Sequence, residues 1–151
     1  MYPLLEIKDL AVSFLQEGTG LPAVNKISFT VSRGKTTAVV GESGSGKSVT
    51  ALSVLKLLPK HCSVNGSILF SPGGNNQADL NKLSADSIRQ IRGNQIAMVF
   101  QEPMTSLNPV FTCGYQVIES IQQHLGLTRK EAKKKAISLF EQVELSLPAS
   151  I

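Results

Sequence analysis

The sequence predicts an α/β fold organised around one strand–turn–helix unit, and three adjacent segments carry the prediction. Gly41-Glu42-Ser43-Gly44-Ser45-Gly46-Lys47-Ser48 fits the P-loop pattern of Gly, four residues, then Gly-Lys-Ser. Directly before it, Thr37-Ala38-Val39-Val40 is a short β-branched apolar run, as a buried parallel strand requires. Directly after it, Val49 to Leu58 reads as a helix with Ala51, Leu52, Leu55 and Leu58 on one face, stopped by Pro59. A chain of 151 residues matches the loop pattern by chance on the order of once in a few hundred.

The chemistry of that loop is local. Its glycines let the backbone turn tightly and bring its N–H groups within reach of phosphate oxygens. The free amides and the dipole at the helix N-terminus favour the same negative charge. Lys47 reaches β- and γ-phosphates as a point charge, and the Ser48 hydroxyl ligates Mg²⁺. The candidate nucleotide-binding residues are therefore Gly41, Glu42, Ser43, Gly44, Ser45, Gly46, Lys47, Ser48 and Val49.

The other elements follow in order. Leu4 to Phe14 and Val24 to Val31 read as two strands joined by the turn Glu17-Gly18-Thr19-Gly20. After the P-loop helix, Val64-Asn65-Gly66-Ser67-Ile68-Leu69-Phe70 reads as a turn into another strand, and Ser71 to Asn81 as a surface loop. Ser84 caps a short helix through Arg92, which Gly93 ends. Ile96-Ala97-Met98-Val99-Phe100 reads as a second buried strand, and Gly114 to Leu147 as helical. Near the end, Thr128 and Glu131 form a capping box, with Ala132, Ala136, Leu139, Phe140 and Val143 on one helix face.

Composition bounds the function. No apolar run approaches the ~20 residues that span a bilayer. Charges within the first nine residues stand where a secretory leader has its apolar centre, which argues against export. Cys62 and Cys113 lie far apart without metal-ligand spacing and suit a reduced cytosolic protein. The net charge of +4 is mild, and its densest cluster, Arg129 to Lys135, reads as a solvated helix face. No aromatic residues interleave there to stack bases, so no nucleic-acid partner is expected.

A second constellation follows the predicted strand at Ile96: Phe100-Gln101-Glu102-Pro103-Met104-Thr105-Ser106-Leu107-Asn108-Pro109. A polar residue at the carboxyl end of a parallel strand sits where α/β sheets place ligand contacts, and the prolines shape the loop beyond it. A P-loop followed by a strand ending in Phe-Gln resembles the ATP-binding subunit of an ATP-binding cassette (ABC) transporter, with Gln101 as the Q-loop glutamine. The strings from Gly41 to Ser53 and from Phe100 to Pro109 are similar to the dipeptide, oligopeptide, nickel and glutathione importers of bacteria.

That resemblance covers Leu4 to about Leu147 and implies an ABC-type nucleotide-binding domain, incomplete, in a P-loop NTPase fold. The chain would be the N-terminal portion of one domain over 1–151. Strands and P-loop core would occupy about 1–100, and the Q-loop and start of a helical subdomain about 101–151. It further implies ATP and Mg²⁺ as ligands, with Lys47 and Gln101 catalytic, Ser48 and Gln101 on the metal, and Phe14 stacking on adenine. Glu102 to Asn108 would lie near a coupling surface. The implied partners are transmembrane permease subunits, a second ATP-binding subunit and, indirectly, a solute-binding protein. The implied place is the cytoplasmic face of the cell membrane, as a peripheral subunit driving import of peptides or a related small solute.

The sequence also departs from that family's pattern. No LSGGQ-like signature, no apolar strand ending in Asp-Glu and no switch histidine follow Gln101, and His61 and His124 read as surface residues. The expectation is an importer ATPase seen as its N-terminal portion, which binds MgATP weakly and hydrolyses it no faster than background. The alternative is a stand-alone, non-hydrolysing nucleotide-binding or permease-docking module. A small P-loop kinase is disfavoured, because two strands and a stacking candidate precede the loop and no arginine-rich lid follows.

Overall fold

Ile7, Leu10 and Val12 break strict two-residue alternation, yet all three are fully buried. A flat strand cannot point residues three apart to one face, so one residue must be accommodated outside the ladder. The computed structural model, which describes residues 2–16, 19–101 and 107–146, shows how. β1 (Leu5–Gln16) pairs antiparallel with β2 (Thr19–Val31) and with β3 (Cys62–Phe70), and both ladders shift register around Lys8 and Asp9. Asp9 takes a positive φ of 48°, and Lys26, nearby on β2, does the same. The Asp9 amide is satisfied by the Ser28 hydroxyl at 2.8 Å.

Gly66 completes this line of bulges on β3, with φ 90°. A Cβ there would collide with the backbone oxygens of Lys8 and Asp9, so only glycine lets the two strands cross this closely. The expected turn at Asn65-Gly66 is therefore a bulge inside a strand that already begins at Cys62. β4 (Ala78–Asp79) adds a short edge, giving the order β2-β1-β3-β4, and a single 3₁₀ turn (Leu80–Lys82) follows it. β4 and the start of the 3₁₀ turn fall within the span Ser71 to Asn81, expected to be a plain surface loop. Asp79 makes the difference, accepting from the amides of Ile68 and Asn81.

By contact the chain divides into two units, Met1–Ile96 and Ala97–Ile151. The first is cored by Ile7, Leu10, Val12, Val24, Ile68, Phe70, Leu80 and Ile88. Its helices are α1 (Lys47–Val54) and α2 (Ala85–Ile91), the latter capped by Ser84 accepting from the Ser87 amide. Of the expected apolar face Leu55 is buried and Leu58 packs on the core, though both lie past the helix end at Val54; Ala51 is exposed, and the buried positions within α1 are Thr50 and Ser53. Burying two hydroxyls is tolerable because each donates back into the helix, Thr50 to Gly46 O at 2.9 Å and Ser53 to Val49 O at 2.7 Å.

The two predicted buried parallel strands are not formed. Thr37–Val40 carries no strand pairing and is exposed, Val40 at 91%. Ile96 makes one isolated bridge to Arg92, and Val99 beyond it is 89% exposed. A parallel strand exists only through neighbours on its edges, and the described residues supply neither run with one.

The second unit holds α3 (Cys113–Leu125) and α4 (Arg129–Gln142), separated by Gly126 in the left-handed conformation. Their shared core is Ile121, Ala132, Ala136 and Phe140. Val143, expected on that face, lies past the helix end and is 66% exposed. The capping box forms as read: the Thr128 hydroxyl accepts from the Glu131 amide, and the Thr128 amide donates to the Glu131 carboxylate at 2.9 Å. The Thr128 hydroxyl and then the Thr128 amide hold the Glu131 carboxyl below its ordinary value. A carboxyl depressed on folding contributes stability at neutral pH that is lost as pH falls through its lowered value. T128A is therefore expected to lower the melting temperature by a few degrees at neutral pH, with the gap closing in acid. Thermal melts followed by circular dichroism at both pH values check this; a gap that does not narrow contradicts it.

Candidate functional site

Gly46 sets the P-loop's shape. It takes φ 90° immediately before α1, and a Cβ there would approach Ala23 O to 2.6 Å and Val24 Cγ2 to 3.0 Å. The loop thus packs directly on the β2 backbone at a position closed to any side chain. No side chain caps α1, and its first intrahelical bond runs from the Thr50 amide to Gly46 O at 2.8 Å. The amides of Lys47, Ser48 and Val49 precede that bond, so they are donors the helix itself does not use. The Lys47 ammonium lies within the loop, donating to Gly41 O at 2.8 Å, Glu42 O at 2.6 Å and Ser45 Oγ at 3.3 Å. Ser48 is exposed at the second helical position.

The far end of α1 is fixed as firmly. Arg92 donates to Leu55 O and Lys56 O, each at 2.8 Å, supplying a cation and two hydrogen bonds to the helix's C-terminal carbonyls. The helix and its loop are therefore anchored to α2 at one end and to β2 at the other.

An open cleft of about 490 Å³ lies over the loop, floored by Ala23, Val24 and Asn25 of β2 and rimmed by Gly41 and Gly44 to Lys47. A second cleft is lined by Phe14, Leu15, Leu21, Pro22, Ala23 and His61. Pro22 and Ala23 belong to both, so β2 joins the surroundings of Phe14 to the P-loop. His61 stands 6.2 Å from Phe14 between ring centroids, at an interplanar angle of 47°. His61 is exposed, as expected of a surface residue, and its pairing with Phe14 is made there. It arises from register, because Phe14 pairs with Cys62 across β1 and β3 and the Leu15 amide donates to His61 O at 2.8 Å. No short-range signal in the sequence carries it.

The residues present fit a magnesium nucleotide. An ammonium and uncapped helix amides belong to one loop, with a hydroxyl at the helix start. Among the described residues no three His, Cys, Asp or Glu side chains cluster as metal ligands. Mg²⁺ bound through phosphates and one protein hydroxyl does not need such a cluster.

Gln101 belongs to the second unit, where it is exposed. Glu102 to Ser106 lie outside the described residues. Beyond them, Gln116 of α3 accepts from the Asn108 amide at 3.0 Å and donates to Asn108 O and Phe111 O, each at 3.1 Å, fixing the loop to the helix start. Phe111 and Tyr115 stack beside it at 5.1 Å.

Comparison with known proteins gives a consistent picture. The ABC transporter family model matches residues 24–149. A protein of Brucella melitensis biotype 1 named as a peptide import ATP-binding protein is 45% identical over 143 residues, covering 93% of this chain and 42% of that protein. A similarly named protein of Brucella suis biovar 1 is 45% identical over 144 residues, covering 95% of this chain and again 42% of the relative. The chain thus spans well under half the length of these relatives. Among solved structures, the dimeric bacterial ABC transporter cassette MJ0796 superposes with a TM-score of 0.73 at 23% identity, over 95% of this chain and 58% of that one. A post-hydrolysis form of the same cassette, bound to ADP and Pi, gives 0.70 at 21%. The chain therefore has the fold of an ABC ATPase cassette, over part of the cassette's length.

Proposed function

Since the chain belongs to the ABC transporter family, we propose that it holds ATP between its P-loop and Phe14 as the nucleotide-gripping portion of a peptide-importer ATPase. The observation that carries this reading is the Lys47 ammonium inside the loop, beside helix amides that no side chain caps. In it, Gly41 to Val49 wrap the phosphates, Lys47 neutralises the β- and γ-phosphates, and Ser48 contributes its hydroxyl to Mg²⁺. Phe14 offers a ring face to adenine at the end of β1. Magnesium, when bound, neutralises charge that develops on the phosphate oxygens during transfer. Gln101 is assigned to the metal and the attacking water on the strength of the family resemblance alone.

In the same reading the strands and P-loop core occupy about 1–100 of the chain. The Q-loop and start of a helical subdomain occupy about 101–151. No helix among the described residues is long and apolar enough to cross a membrane. The chain would act peripherally at the cytoplasmic face, against permease subunits and a second ATP-binding subunit, with a solute-binding protein delivering peptides or a related small solute. MJ0796 is described as dimeric, and the Brucella relatives are named for peptide import.

Hydrolysis needs more than this grip, because the attacking water must be oriented and deprotonated. No acidic pair follows an apolar run after Gln101. The 151-residue chain is therefore expected to bind MgATP while releasing phosphate at the background rate. A coupled phosphate-release assay on the purified chain checks this, and steady release that disappears in K47A contradicts it.

A further inference from the structure

We propose that His61 is the polar recognition element of the base pocket, hydrogen-bonding the edge of a nucleobase stacked on Phe14. The proposal rests on the nucleotide reading above and adds a residue to it. The cleft beside Phe14 is lined by Leu15, Leu21, Pro22, Ala23 and His61. Among the described residues lining it, the exposed His61 is the one polar side chain. Ligand pockets are built this way, with apolar walls giving affinity and a few placed polar groups giving orientation and specificity.

The ring geometry decides how a base would sit. Sandwiching a base between two rings needs about 7 Å between parallel planes, twice the ~3.5 Å contact distance. Phe14 and His61 are 6.2 Å apart and tilted by 47°, too close and too oblique for a sandwich. A base stacked on Phe14 is thus not sandwiched, and His61 would have to engage it at an edge, where purines carry their hydrogen-bonding atoms. A histidine ring, with one nitrogen donating and the other accepting when neutral, suits such an edge.

The position is held, not incidental. His61 O accepts the Leu15 amide at 2.8 Å, one residue beyond Phe14, and the Cys62 amide donates to Pro59 O at 3.1 Å. The backbone carrying His61 is thus pinned to the end of the strand that carries Phe14. Pro22 and Ala23 continue from this pocket into the cleft over the P-loop. One nucleotide can therefore run from base to phosphates along β2.

The test separates base from phosphates by titrating the 151-residue chain with MgATP and with inorganic tripolyphosphate. H61A and H61F, the second of which keeps a ring but no polar atom, are each expected to weaken ATP about 3- to 10-fold, the range of one net hydrogen bond. Both should leave tripolyphosphate binding within about twofold of wild type, and H61Q should recover most of the ATP affinity. Unchanged ATP binding in H61A, retained binding in H61F, or equal losses for both ligands would overturn the assignment. K47A is the control for the underlying reading and should weaken both ligands. If wild type binds neither, that reading fails, and the role of His61 falls with it.

Discussion

G66A is expected to remove a large part of the first unit's stability, lowering it by about 2–5 kcal/mol. Two costs combine. Residue 66 holds φ 90°, and forcing a side chain into positive φ costs roughly 1–2 kcal/mol. The added Cβ would also meet the carbonyl oxygens of Lys8 and Asp9, which belong to the central strand β1 and cannot move without disturbing both of its ladders. Overpacking of this kind costs about 1–3 kcal/mol. Against a total of about 5–15 kcal/mol for a domain, the loss is severe. G73A provides the contrast, since a Cβ at Gly73 meets nothing within 4 Å and no positive φ is involved. Urea unfolding is expected to show a lower midpoint for G66A and an unchanged one for G73A. Equal midpoints for the two variants would contradict the bulge geometry.

The line of bulges also shows where the sequence ceases to be legible. β1 and β2 are readable as strands, yet β2 begins at Thr19, five residues before the apolar pattern starts at Val24. Thr19 and Gly20 carry turn chemistry but are drawn into the ladder opposite Gln16 and Leu15. The positive φ angles of Asp9 and Lys26 leave no trace in residue type. By contrast, the capping box at Thr128 and Glu131 and the P-loop are legible, because each is complete within a few residues. The helix break at Gly126 agrees with the helix start legible at Thr128, glycine there being the usual stop signal.

Thr37–Val40 and Ile96–Phe100 failed for a different reason. Their composition suits a buried strand, but strand formation is decided by what lies alongside. The described residues give neither run a partner strand, and Val39, Val40, Val99 and Phe100 are left exposed. Exposed β-branched runs of this kind favour association between chains. The pairing of exposed His61 with Phe14 is illegible for a related reason, since Phe14 lies 47 residues earlier in sequence and is reached only through the register of β1 and β3.

Of all substitutions in the site, K47A should cost the most binding. Among the described residues the ammonium is the one positively charged side chain lining the cleft over the loop, and in the structure it already donates to the Gly41 and Glu42 carbonyls. Its removal deletes the charge facing the phosphates and leaves those two carbonyls without their donor. Charge-assisted hydrogen bonds contribute about 1.5–3 kcal/mol, which corresponds to roughly 10- to 150-fold in affinity. The fold should be little changed, because Lys47 makes no contact in the core of the first unit. The decisive measurement is a calorimetric titration of wild type and K47A with MgATP, with thermal melts of both recorded alongside. The account predicts one saturable site in wild type, weakened at least tenfold in K47A at an unchanged melting temperature. Equal affinity in the two proteins, or no saturable binding by wild type, would contradict it.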